Sequence, residues 1–256
     1  MVVADLHVHT TNSDGTLTLE TLPAAAESAG VSAVAVTDHD RLHPDLRTPV
    51  ATIDGLTVVH GIELRVEADD LRVDLLGYGA TRTQDLAALV ERLQEDRIER
   101  GEAMIERVED YLGTELPIEP RPGLGRPHIA EAIATVSPYE YGEAFEELIG
   151  DGRPCYIPRE IPPFNEALSV LNDACSIVSL AHPYRYDDLE AALELCSELD
   201  AIERFYPYER EIDLRPIETA IARYDLLATG GSDAHDDVLG LAGLETDDYR
   251  RFRAAL

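Results

Sequence analysis

The chain has 256 residues, enough for one barrel-sized domain or a core with a modest insertion. Its 45% hydrophobic content suffices for a proper core, and no run of about 18 apolar residues occurs, which argues against a membrane span. The formal net charge is −30 and all 21 basic residues are arginine, which argues against a broad nucleic-acid groove lined by a basic stripe.

The chain opens on a short apolar run that ends in Asp5-Leu6-His7-Val8-His9. Read as a strand from Val2 to His9, it alternates faces, so His7 and His9 point the same way and can grip one metal ion. Asp14 follows a tight polar turn and can bring a carboxylate back to the same place. A helix is predicted over Thr18 to Ala29, with Thr21 as N-cap, Pro23 in the first turn and Gly30 as the stop. Val31 to Val36 is β-branched and nearly all apolar, the pattern of a strand covered on both faces, and it ends in Thr37-Asp38-His39-Asp40. Leu56 to Ile62 is a further strand ending in Glu63, and Leu71 to Leu76 carries Asp74 within it.

The middle of the chain differs. Thr83 to Leu112 is one long helical pattern dense in Glu and Arg, Pro117 to Pro127 is a Pro/Gly/Arg loop, and His128 to Thr135 and Pro138 to Ile149 read as short helices. Residues 81–162 therefore read as a helical insertion between barrel segments 1–80 and 163–256. Strands then return: Ser176 to Leu180 ends in Ala181-His182-Pro183, Asp200 to Ile202 in Glu203, and Leu226 to Thr229 in Gly230-Gly231-Ser232-Asp233-Ala234-His235. Helices are predicted between them, over Pro163 to Ala174, Asp187 to Leu199 and Asp213 to Tyr224. Strand, polar tip and helix in repetition describe a β/α barrel or an open parallel sheet, and both gather their chemistry at the carboxyl ends of strands.

At or near those ends stand His7, His9, Asp14, His39, Glu63, Asp74, His182, Asp233 and His235. Imidazole with carboxylate suits Zn, Mn or Fe, and no thiolate is recruited. Nine donors exceed the needs of one ion, so two or three divalent ions close together are expected, with a carboxylate such as Glu63 able to bridge two. Clustered ions generate hydroxide at neutral pH and neutralise phosphate oxygens, which is hydrolytic phosphoester chemistry. His43, before Pro44 in a loop, and His60, inside a strand, read as structural.

Asp5-Leu6-His7-Val8-His9, Thr37-Asp38-His39-Asp40, Gly61-Ile62-Glu63, Ala181-His182-Pro183 and Gly231-Ser232-Asp233-Ala234-His235 together resemble the PHP family, named for polymerase and histidinol phosphatase. The motifs run in family order over nearly the whole chain. The resemblance implies a distorted (β/α)7 barrel with up to three metal ions. Carried over residue by residue, it implies that His7, His9, Glu63 and Asp233 hold the first ion. Glu63, Asp74 and His182 would hold the second, and Asp14, His39 and His235 the third. Asp74 departs from the pattern, because the family usually has His there; a carboxylate favours harder ions such as Mn or leaves that ion loose.

Arg126-Pro127-His128 ahead of a helix, and Ala181 to Tyr186, resemble one branch of the family, which includes 5′-to-3′ exoribonucleases and 3′,5′-nucleotide bisphosphate phosphatases. The expected function is phosphoester hydrolysis by a metal-bound hydroxide. Arg126 and Arg185 are expected on the substrate, and His128 on phosphate or base, with His128 also the candidate to protonate the leaving oxygen. The expected substrate is a phosphorylated small molecule, a nucleotide or a short 5′-phosphorylated RNA end. The alternatives are a small-molecule phosphatase of the histidinol-phosphate kind, and a non-catalytic metal-binding accessory module.

Cys155, Cys175 and Cys196 are odd in number and fit no zinc or redox spacing, and no signal-peptide pattern opens the chain, so a reduced cytoplasm is expected. A surface this acidic repels itself unless dense salt screens it, so salt adaptation is expected too.

Overall fold

The computed structural model describes residues 1–256. In chain order the strands are β1 Ala4–Val8, β2 Ala33–Val36, β3 Val50–Ile53, β4 Leu56–Ala68, β5 Leu71–Tyr78, β6 Ile177–Leu180, β7 Ala201–Phe205 and β8 Leu227–Gly230. The α-helices are α1 Leu22–Ala29, α2 Gln84–Leu112, α3 Arg126–Val136, α4 Tyr141–Ala144, α5 Phe164–Ala174, α6 Leu189–Leu195, α7 Arg215–Tyr224 and α8 Thr246–Ala255. The chain divides into two compact units, Met1–Ala88 with Ile161–Leu256, and Leu89–Glu160.

In the first unit, seven strands run in the order β1-β2-β4-β5-β6-β7-β8, and β3 pairs with β4 off this path. Neighbours along this path are parallel except around β5, which is antiparallel to both β4 and β6, and β3 is antiparallel to β4. The reversal at β5 is a distortion within the expected barrel, and its cause is local. Only Asp69 and Asp70 separate β4 from β5, too few for a crossover, and Asp69 takes the left-handed conformation (φ 51) that such a hairpin turn needs. The pairing also carries β4 on to Ala68, well past the expected end at Ile62.

Alternation along β2 sends Ala33 and Ala35 into one hydrophobic cluster with Leu6, Leu76 and Tyr78, and Val34 and Val36 into another with Val8, Leu22 and Val58. The strand is thus buried on both faces, as its all-apolar run requires. Helix α1 starts at Leu22 with Thr21 as its N-cap residue, as expected, and Thr18 lies before it in a turn that Thr18 and Thr21 close on each other through backbone and hydroxyl groups. It ends at Gly30, whose positive φ of 71 lets its N–H reach the carbonyls of Ala26 and Glu27. Strand β3 and helix α8 were not expected.

The two ends of the sheet meet. Val8 bridges Ala234 and Ala4 bridges Leu244. A Cβ on Gly231 would lie 2.3 Å from the backbone nitrogen of His7, so only glycine allows β1 and the segment after β8 to come this close. The Asp5 carboxylate ties the same seam, accepting from the Ser232 backbone N–H (2.9 Å), the Ser232 hydroxyl (2.6 Å) and the Gly240 N–H (2.8 Å). The result is a distorted barrel.

The second unit has its own core, with Met104 and Val108 of α2, Ile129 and Ile133 of α3, and Leu148 and Ile149 buried together. Helix α3 begins at Arg126, two residues earlier than expected, because Pro127 fits the first turn, where no N–H is needed. The expected helix over 138–149 shortens to α4 and continues as a π-helical turn, Phe145–Ile149. No helix in the chain is long and apolar enough to cross a membrane.

Candidate metal centre

Asp5 and His7 share one face of β1 by simple alternation, and His9 follows just past its end. Beyond β1 the chain turns sharply, and the turn is built around Asp38. Its carboxylate accepts from the Thr10 N–H (2.7 Å), the Asn12 amide (2.9 Å) and the Ser13 hydroxyl (2.9 Å), which sets Asp14 in place. His39 follows β2, Glu63 lies in β4 beside it through a bridge, and Asp74 lies in β5. His182 and Asp233, just past β6 and β8, both have positive φ, 25 and 51. Backbone strain of this kind is held only where the surroundings fix it, and it collects at functional sites.

The nine predicted donors fall into three overlapping groups, each with ligand atoms within 4.8 Å of one another and able to hold a metal ion. The first is His7, His9, Glu63 and Asp233; the second is Glu63, Asp74 and His182; the third is His9, Asp14, His39 and His235, which adds His9 to the expected set. In the first group, His7 Nε2 lies 3.3 Å from Asp233 Oδ1 and 3.4 Å from Glu63 Oε1, and His9 Nε2 lies 3.1 Å from Asp233 Oδ1 and 3.4 Å from Glu63 Oε2. These separations fit the edges of a polyhedron around a cation with bonds of about 2.0–2.2 Å. His7 Nε2 is buried without a hydrogen-bond partner, a costly state that a cation relieves. The donor set and the geometry fit divalent ions.

Electrostatics prepare the same role. Burial alone would raise the Glu63 carboxyl, but the charges of His39 and His7 and a bond from His182 hold it well below the usual carboxylate range. Burial also opposes ionisation of Asp233, and His7 and His9 outweigh it, so that this carboxyl too is held low. His9 is pushed below its ordinary value by burial and by His39, which favours the neutral ring that ligates metal.

Three buried carboxylates missing from the sequence-derived set hold the site. Asp5 and Asp38 act as described above. Glu203, in the middle of β7, takes His7 Nδ1 at 3.1 Å and the His182 backbone N–H at 2.7 Å. Its bond to Nδ1 leaves Nε2 of His7 for a cation, the usual outer support of a metal-ligating histidine. The period-two alternation of β1 already marked Asp5, and the strand-end rule already marked Glu203.

The arginines expected on the substrate have partners of their own. Arg185 donates to Asp233 Oδ2 (2.9 Å) and the Tyr206 hydroxyl (3.2 Å), yet its side chain is 53% exposed, so it can still meet an anion. In the second unit, Arg126 pairs with Asp151 (2.6 Å) and lies over the Phe145 and Tyr156 rings. His128 Nδ1 accepts from the Gly125 N–H (3.1 Å), which leaves the proton on Nε2 in the neutral ring. His43 accepts from the Asp45 N–H and His60 is buried in β4; neither belongs to a donor group. All three cysteines are free, and burial pushes the thiols of Cys175 and Cys196 up to about 12.

Comparison with known proteins agrees with this geometry. A family model described as the PHP domain matches residues 5–152. The chain is 32% identical over 252 residues to the phosphoribosyl 1,2-cyclic phosphate 1,2-diphosphodiesterase of Eggerthella lenta, covering 91% of this chain and 94% of that protein. It is 24% identical to the 3′,5′-nucleoside bisphosphate phosphatase of Chromobacterium violaceum, covering 92% and 88%. A solved structure from Bifidobacterium adolescentis, described as a candidate metal-dependent phosphoesterase, superposes with a TM-score of 0.82 at 26% identity, covering 99% of this chain and 96% of that one. The chain belongs to the PHP domain family of metal-dependent phosphoesterases.

Proposed function

We propose that this phosphoesterase cleaves a phosphate ester on a ribose that carries a second phosphate, as a free nucleotide, a sugar phosphate or a short RNA end. The observation that carries the reading is the convergence of nine imidazole and carboxylate donors from separate strand ends into three groups within ligand distance. His7, His9, Glu63 and Asp233 hold one divalent ion, of Mn, Zn or Fe, and Asp14, His39 and His235 hold another together with His9. When bound, such ions acidify water and neutralise charge on phosphate oxygens.

The chain's own residues do the rest. Glu63 turns Oε1 towards His7 and His182, and Oε2 towards His9 and His39, so one buried carboxylate serves several donors at once. Glu203 and Asp38 fix the donors before substrate arrives, so little reorganisation is left for the reaction itself. Arg185 is the partly exposed positive group at the rim, suited to the second phosphate. The preference for a small substrate follows from the charge of −30, which repels an extended polyanion. Two relatives named for ribose compounds bearing more than one phosphate linkage support the same substrate class.

The test is product formation, followed by chromatography, from four compounds side by side: a nucleoside 3′,5′-bisphosphate, phosphoribosyl 1,2-cyclic phosphate, a short 5′-phosphorylated RNA and histidinol phosphate. Faster turnover of one of the first three is expected. Preference for histidinol phosphate would overturn the substrate class, and no turnover of any compound with Mn, Zn or Fe supplied would favour a non-catalytic metal-binding module.

A further inference from the structure

The second donor group is set apart by a guanidinium that covers both oxygens of its own carboxylate, Asp74. Arg65 of β4 and Asp74 of β5 face each other in antiparallel register. Arg65 donates from Nε to Asp74 Oδ1 at 2.7 Å and from a terminal nitrogen to Oδ2 at 2.5 Å, so the fork covers both carboxylate oxygens. Asp74 is buried, and its backbone N–H is held by the Tyr186 hydroxyl (2.8 Å). The pair therefore cannot swing apart freely. His182 Nε2 lies 3.1 Å from Glu63 Oε1 but 3.7 Å from Asp74 Oδ2. A divalent ion between them would stand against a fixed positive charge and would have to share oxygens already paired. In the first group, Arg185 reaches only the outer oxygen of Asp233, Oδ2, and leaves Oδ1 to His7 and His9. Arg65 also lines a cleft of 870 Å³ together with His182 and Arg185, so its charge remains within reach of a ligand.

We infer that the guanidinium of Arg65 takes the place of a third ion, so that the protein holds two divalent ions and one built-in positive side chain. The inference rests on the phosphoesterase reading and refines it. An arginine cannot activate water as a metal ion does, but it can neutralise a phosphate oxygen by paired N–H donors. The exchange also explains why a carboxylate suits position 74 in this chain: a carboxylate pairs with a guanidinium in a fork, which an imidazole cannot do.

The experiment counts ions. Full-length protein is saturated with Mn, freed of excess by gel filtration and analysed for metal content. Two equivalents per chain are expected, and Asp74→Asn should leave that number unchanged. In the double variant Arg65→Met with Asp74→His, the charge is removed and a neutral donor supplied, and the content should rise to three. Three equivalents in the natural chain, a loss of one in Asp74→Asn, or a double variant that stays at two would each overturn the inference. Should Asp74→Asn fail to fold, the natural chain and the double variant decide. Retention of no ion at all would overturn this inference and the phosphoesterase reading together, whereas a count of three would overturn this inference alone.

Discussion

Glu203 Oε1 lies 3.1 Å from His7 Nδ1, and both side chains are fully buried. The other oxygen of Glu203 accepts the backbone N–H of His182 at 2.7 Å. One carboxylate thus orients a histidine of the first donor group and the backbone of a histidine in the second. Replacing it by Gln keeps the shape but removes the charge that holds the His7 ring. The expected result for Glu203→Gln is a ~10–100-fold loss of metal affinity, measured by competition with a chelator of known strength. Unchanged affinity would mean that His7 is positioned by packing alone.

His60 sits inside β4, and burial first, then the charge of Arg82, push it down to about 4. The unfolded chain takes up this proton near pH 6.5, the folded one only near pH 4, so stability present above pH 6.5 is lost as pH falls between those values. The full loss amounts to about 3 kcal/mol, set by the gap between folded and unfolded values. His60→Gln should therefore lose less stability between pH 7 and pH 5 than the natural chain in urea titrations. Equal losses would show that His60 does not carry this dependence. The site histidines titrate in both proteins and cancel in the comparison.

Much of this site was legible in the sequence because its chemistry is written in short strand-end signals. His7-Val8-His9, Asp38-His39 and Asp233-Ala234-His235 each place a donor where a buried apolar run stops, and the fold brings those stops together. The supports were harder to see. Asp38 and Asp5 act on residues up to 28 and 235 positions away, so a place at a strand tip or on a strand face does not say what each of them holds. Arg65 lies past the expected end of its strand at Ile62, and only the reversal at Asp69 sets it against Asp74. The direction of β5 depends on a two-residue turn without glycine, a weak signal beside the strong apolar runs that flank it. Strand β3 is short and only partly buried, so its residues carry little pattern.

The charge makes a separate prediction. At −30, with arginine the only strong base, the surface gains stability when salt shortens the range of its self-repulsion. Thermal melting should shift upward between dilute buffer and multimolar KCl. Greater stability in dilute buffer would contradict salt adaptation.

The most direct measurement is phosphate release before and after chelation. Protein stripped of divalent ions by EDTA and then desalted should release no phosphate from a nucleoside 3′,5′-bisphosphate, and added Mn should restore the activity, in the natural chain but not in His9→Ala with Asp233→Ala. Undiminished release from the metal-free protein, or full activity in the double variant, would contradict the account.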